Sequence, residues 1–103
     1  MDRIKKIKEL LEVTPTDAFL QHALALELAK QGDIEEAIRL LRKVLSEDEN
    51  YIGSYYQLGK LLEEQSRVHE AVSTYEKGMS KAKERGEQHA YNELRSAYEE
   101  LIF

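Results

Sequence analysis

An all-α fold of six short helices arranged as a stack is what this sequence predicts, and three observations predict it. Apolar residues return every three or four positions almost throughout, and no comparable run alternates with period two. Five turn-like stretches interrupt that pattern: "TPTD" at 14–17, "QGD" at 31–33, "EDENY" at 47–51, "QSR" at 65–67 and "ERGE" at 84–87. Aligned with itself at an offset of 34, the chain pairs Leu24 with Leu58, Leu28 with Leu62, Gln31 with Gln65, Glu36 with Glu70, Ala37 with Ala71, Lys43 with Lys77 and Ser46 with Ser80. A two-helix period of that length marks a repeat architecture.

The first helix, 4–13, carries Ile4, Ile7, Leu10 and Leu11 on one face, and Pro15 stops it while biasing Thr14 towards an extended shape. The second opens behind Asp17, whose carboxylate suits a free helical N–H, and carries Leu20, Leu24 and Leu28. Gly32 can take the left-handed conformation that ends it, and Asp33 is placed to cap the third, with its Ile34, Ile38, Leu41 and Leu45. The fourth helix holds Leu58 and Leu62. Ser66 then stands where the first copy has Gly32, so the turn is expected to persist, capped by Ser and at a small conformational cost. Val68, Val72, Tyr75 and Met79 define the fifth helix; Lys83 occupies a place where Pro would stop it, so it is expected to run unbroken to about Arg85 and to end at Gly86. Leu94, Tyr98 and Leu101 mark the sixth. Short loops imply antiparallel neighbours. Ala37 and Ala71 recur where neighbouring helices should approach closely.

With 103 residues the chain amounts to one domain, 1–103. A net charge of -5 gives it no general attraction for phosphate backbones or anionic membrane surfaces, so neither nucleic acid nor membrane is an expected partner. The absence of Cys excludes disulfides, thiolate zinc sites and cysteine nucleophiles. The N-terminal stretch alternates charged and apolar residues without the apolar run of a signal peptide, and no segment reaches membrane-spanning length; the cytoplasm is the expected compartment.

Catalytic and ligand signatures fail on particular residues. "HEAVS" at 69–73 begins like a zinc-protease motif, but Ser73 takes the place of the second His ligand, and His69 reads as a first-turn surface residue. "DENYIG" at 48–53 has Ile52 in place of an oxygen ligand for calcium, and Gly59 where a bidentate Glu belongs. The five glycines form no phosphate cradle. Consecutive pairs such as Glu35 and Glu36 or Glu63 and Glu64 diverge by about 100° around a helix and cannot converge on one bond. No enzyme activity, metal or cofactor is expected.

The residues at repeating positions resemble the tetratricopeptide repeat (TPR) family. Tyr55, Leu58, Gly59 and Leu62 match the signature of the first helix of a repeat, and Ala71 with Tyr75 match the second. An earlier copy fits more loosely through Gln21, Leu24, Ala25, Leu28, Ala37 and Leu41, with Gly32 and Asp33 in the turn between its helices. The same register makes 4–13 look like the second helix of a half repeat, 18–51 and 52–85 two full repeats, and 87–102 a capping helix, because Asn92, Glu93 and Ser96 stand at the signature positions of any third copy. The resemblance implies a right-handed α-α superhelix acting as a non-enzymatic protein-interaction module.

In proteins of this resemblance the first helices of successive repeats line a concave groove that holds a peptide. Carried onto this chain, the groove residues are Phe19, His22 and Leu26 from repeat one and Tyr56, Lys60 and Glu63 from repeat two. Such a groove would suit a protein or peptide partner with an apolar anchor and an acidic group. The Lys and Asn with which some members grip a chaperone's terminal carboxylate are replaced here by His22 and Leu26, so that clamp is not expected. The alternative is an assembly subunit, a monomer or weak homodimer, self-associating through Tyr91, Leu94, Tyr98, Leu101 and Phe103 of the last helix.

Overall fold

A computed structural model describes residues 2–103. Its elements are α1 (Arg3–Val13), α2 (Ala18–Lys30), α3 (Ile34–Glu47), α4 (Gly53–Glu64), α5 (Val68–Glu84) and α6 (Gln88–Ile102), with no strand among the described residues. Each helix packs against its neighbour in sequence, so α2 with α3 and α4 with α5 form two hairpins flanked by α1 and α6. In addition α4 touches both α2 and α6, placing these three side by side.

One turn design is used three times. At the ends of α2, α4 and α5 a residue with positive φ, namely Gly32 (87°), Ser66 (60°) and Gly86 (68°), breaks the helix. The following residue then donates its backbone N–H five positions back, Asp33 to Leu28 O at 2.9 Å, Arg67 to Leu62 O at 2.8 Å and Glu87 to Ala82 O at 2.9 Å. A shorter bond sits inside each, from Gly32, Ser66 and Gly86 to Ala29, Glu63 and Lys83 O respectively, completing the Schellman pattern that satisfies helix-end carbonyls. Ser66 adopts the left-handed conformation without a glycine's freedom.

This corrects two capping expectations. Asp17 does cap α2, its carboxylate accepting from Leu20 N at 3.0 Å. Asp33 and Ser66, by contrast, make no side-chain cap bond to α3 or α5. The turn leaves Asp33 with ψ 67°, away from the extended backbone (ψ 111°) from which Asp17 caps α2, and Ser66 lies one residue before the N-cap position, which Arg67 holds. Helix α5 runs without interruption to Glu84, as the lack of Pro predicts.

The core runs along the whole stack, and Ala37 and Ala71 are wholly buried in it. Two glycines inside helices make closer approaches still. A Cβ on Gly59 would lie 2.2 Å from Tyr75 Cε1, and one on Gly78 would lie 2.6 Å from Tyr55 Cβ and 3.1 Å from Leu94 Cδ1. Two tyrosine rings therefore sit directly over glycine backbone. Tyr55 also reaches back six residues, donating its hydroxyl to Glu49 O at 2.6 Å. Gln21, one repeat earlier, does the same with its amide, Nε2 to Pro15 O at 2.7 Å. Each first helix thus ties down the segment that precedes it.

Candidate functional site

Side-by-side placement of α2, α4 and α6 leaves two open clefts, one on each side of α4. The first is lined by Leu26, Ala29 and Lys30 of α2 and by Gln57, Leu61 and Glu64 of α4. The second, about 330 Å³, lies between Tyr56 and Lys60 of α4 and His89, Glu93, Ser96 and Glu100 of α6, floored by Ala97. On α6 the spacing 89, 93, 96, 100 keeps these residues on one helical stripe.

Tyr56 is half-buried, its ring centroid 6.5 Å from that of the fully buried Tyr75 and tilted 45° to it. Lys60 lies over the Tyr56 ring, Nζ 5.9 Å from the centroid, within cation–π range. The same ammonium is 3.8 Å from Glu63. Glu63 in turn accepts a hydrogen bond from the Tyr75 hydroxyl. Burial, and after it this carboxylate, push the Tyr75 phenol well above its ordinary pKa, so it remains the donor.

Of the six groove residues named from sequence, Tyr56, Lys60 and Glu63 come together beside the second cleft, and Leu26 lines the first. Phe19 is 68% exposed at the start of α2. His22 has another engagement: its Nδ1 is 2.7 Å from Ser54 Oγ and its ring meets Tyr51 edge-on at 5.4 Å between centroids. Burial holds its imidazole below the ordinary pKa. His22 therefore links α2 to α4. Lys60 is also not the free cation that an acidic partner would need, because Glu63 and Tyr56 already hold it.

The wall contributed by α6 is what the sequence reading missed. Asn92, Glu93 and Ser96 spoil the signature of a third repeat, and for that reason the helix reads as a cap. In space α6 packs along α5 and touches α4 as α4 touches α2, and those polar residues face the second cleft. The signal that would have found them is the polar stripe at 89, 93, 96 and 100, opposite the apolar one.

Along the apolar side of α6, Leu94 is buried at 1% exposure against α5, while Tyr91, Tyr98 and Leu101 are half-buried on the same core. Tyr98 also donates to Glu76 of α5 at 3.3 Å. Leu94 is thus unavailable to a second copy, and the helix presents chiefly Ile102 and Phe103 to solvent as large apolar residues. Among the described residues no three His, Cys, Asp or Glu side chains gather as a metal site, and no helix is long and apolar enough to cross a membrane.

A stack of helical hairpins with side-by-side first helices and open clefts between them is the arrangement of a helical-repeat protein. The family model of the tetratricopeptide repeat matches residues 28–98, and the chain belongs to that family. It is 37% identical to a tetratricopeptide repeat domain protein from Salinibacter ruber solved in solution, with 84% of this chain and 88% of that one covered and a TM-score of 0.81. A solution structure of a Bordetella parapertussis protein is 24% identical over 99% of this chain and 89% of that one, with a TM-score of 0.85. At 22% identity, covering 96% of this chain and 79% of that one, the TPR2B domain of yeast Sti1 has the same fold with a TM-score of 0.88; that domain was solved as a complex with pHsp70. No curated protein matches the chain. Domains of this family commonly mediate protein–protein interaction and are generally non-enzymatic.

Proposed function

We propose that this protein is a non-enzymatic interaction module that binds a peptide segment of a partner protein along the face made by α2, α4 and α6. The observation that carries this reading is the open cleft between α4 and α6, where Tyr56 is held against Tyr75 with an accessible side towards solvent. A ring fixed before binding loses little conformational entropy when a ligand covers it, which is why tyrosines on rigid frames dominate many recognition surfaces. The first cleft, between α2 and α4, offers an apolar floor beside it in Leu26, Ala29 and Leu61. Helices rather than loops carry every one of these groups, so the surface is formed in advance.

The reading draws further support from the yeast Sti1 domain of the same fold, which is seen with a bound partner. The test is selection of a random linear-peptide library on the parent protein, followed by binding of the recovered peptides to Tyr56→Ala plus Lys60→Ala. Recovered peptides should lose about tenfold or more in affinity for the double variant, as loss of a central aromatic anchor demands. Unchanged affinity would remove the groove as the binding site, provided circular dichroism shows the variant folded.

A further inference from the structure

The cleft between α4 and α6 has an excess of negative charge with nothing to balance it. Lys60 is its one Lys or Arg, and Glu63 stands 3.8 Å from it. The remaining carboxylates, Glu93 and Glu100, make no ion pair with Lys or Arg among the described residues; the charged-group neighbour of Glu93 is His89, at 3.8 Å. The nearby arginine of α6 is turned away: Arg95 is bound to Glu99 at 2.9 Å on another face of the helix. Two carboxylates thus border an open cleft whose opposite wall is an aromatic face.

We infer that the α4–α6 cleft takes a basic segment of a partner protein, with partner Lys or Arg side chains lying on Tyr56 and pairing with Glu93 and Glu100. This rests on the groove reading above and adds the chemistry of the occupant. An acidic segment would meet two uncompensated carboxylates and find the only ammonium already held, so like-charge repulsion would oppose it. Basic side chains gain from the ring quadrupole and from two carboxylates that no Lys or Arg of the described residues pairs. Lys60 over Tyr56 shows the contact within the molecule itself: a cation already occupies that ring in the free protein. A partner cation would displace it towards Glu63.

The experiment uses the full chain and the peptides recovered from the random library. Their affinities are measured by fluorescence anisotropy at low and high salt, for the parent, Tyr56→Ala and Glu93→Lys plus Glu100→Lys. Both glutamates are exposed, so the charge-reversed protein should fold, and circular dichroism checks that it does. The recovered peptides should be rich in Lys and Arg, weaken as salt rises, and lose about tenfold in affinity on charge reversal, the combined effect of two partly exposed ion pairs and the repulsion that replaces them. Peptides that depend on Tyr56 but are acidic or neutral, or that ignore the charge reversal, would leave the groove reading standing and overturn the basic occupant. Peptides indifferent to Tyr56 and to both glutamates would remove the groove itself. Sedimentation supplies the remaining outcome: association of the parent with itself that the charge reversal abolishes would assign the cleft to a second copy and overturn the partner segment.

Discussion

Repeat one, α2 with α3, and repeat two, α4 with α5, fill equivalent positions in opposite ways. Where repeat one has Ala25 and Leu41, repeat two has Gly59 and Tyr75; where repeat one has Gln21 and Val44, repeat two has Tyr55 and Gly78. All eight residues are buried. In repeat two each large ring lies over a glycine, so volume lost from one helix returns as a ring from its neighbour. A close-packed interior tolerates such exchange when it is made in pairs and resists it when made singly. The repeat backbone is thus compatible with two distributions of side-chain volume, and what must be kept is their sum.

The sharpest way to break this comparison is to change one member of a pair. Gly59→Ala or Gly78→Ala should each cost about 3 kcal/mol in urea denaturation, although Ala in a helix normally gains about 1 kcal/mol over Gly. Gly78→Ala has less room for relief, since the opposing atom is Tyr55 Cβ, rooted in the backbone of α4. Combining Gly59→Ala with Tyr75→Leu imports the pair of repeat one and should restore much of the stability lost by Gly59→Ala. A single variant as stable as the parent would show that the rings yield freely and that the volumes are not matched.

The turns permit a gentler test. Ser66 holds the left-handed conformation that Gly32 holds in repeat one, so Ser66→Gly should stabilise the protein by about 0.5 to 1 kcal/mol, the relief of strain less the greater entropy of an unfolded glycine. A lower denaturation midpoint would mean that the serine makes good its strain elsewhere.

The smallest effect expected is a dependence on pH located between the repeats. At the position equivalent to Tyr56, repeat one places His22, whose imidazole burial holds below its ordinary pKa. The unfolded chain then takes up a proton at higher pH than the folded one, so this contribution to stability is present above about pH 6.5 and declines on acidification. His22→Gln should flatten that decline. A separate loss should begin below about pH 4.5, where Glu70, lowered to about 2 by hydrogen bonds from Arg67 and Arg42, starts to be protonated in the unfolded chain. Identical slopes for parent and variant between pH 7 and 5 would discount His22 as the titrating link.

The legible part of the fold was whatever repeats. Leu24 with Leu58 and Ala37 with Ala71 carry both the helical period and the register of the stack, because burial at equivalent positions selects similar residues. Asp33 was misread because a carboxylate before a helix looks the same whether its side chain caps that helix or its main chain closes the preceding turn. Gly78 carried no signal as a contact, since the ring it accommodates lies more than 20 residues earlier in the chain. In the candidate site, Tyr56, Lys60 and Glu63 were named by carrying the family's groove positions onto this register, and the α6 wall was not. Register identifies a helix by its buried face, and α6 meets the cleft with the polar residues that break the signature.

The reach of Tyr55 to Glu49, and of Gln21 to Pro15, bears on how the chain is assembled in time. These contacts close loops of only a few residues, and the helix packing is made mostly between sequence neighbours. Contacts of such short range keep the entropy of closure low and favour rapid folding. As the chain leaves the ribosome, each helix after α1 finds the one before it already delivered as a packing partner, and the bond behind it secures the entering segment before the next hairpin arrives. The stack can therefore grow in the direction of synthesis, with no early helix left waiting for a distant one.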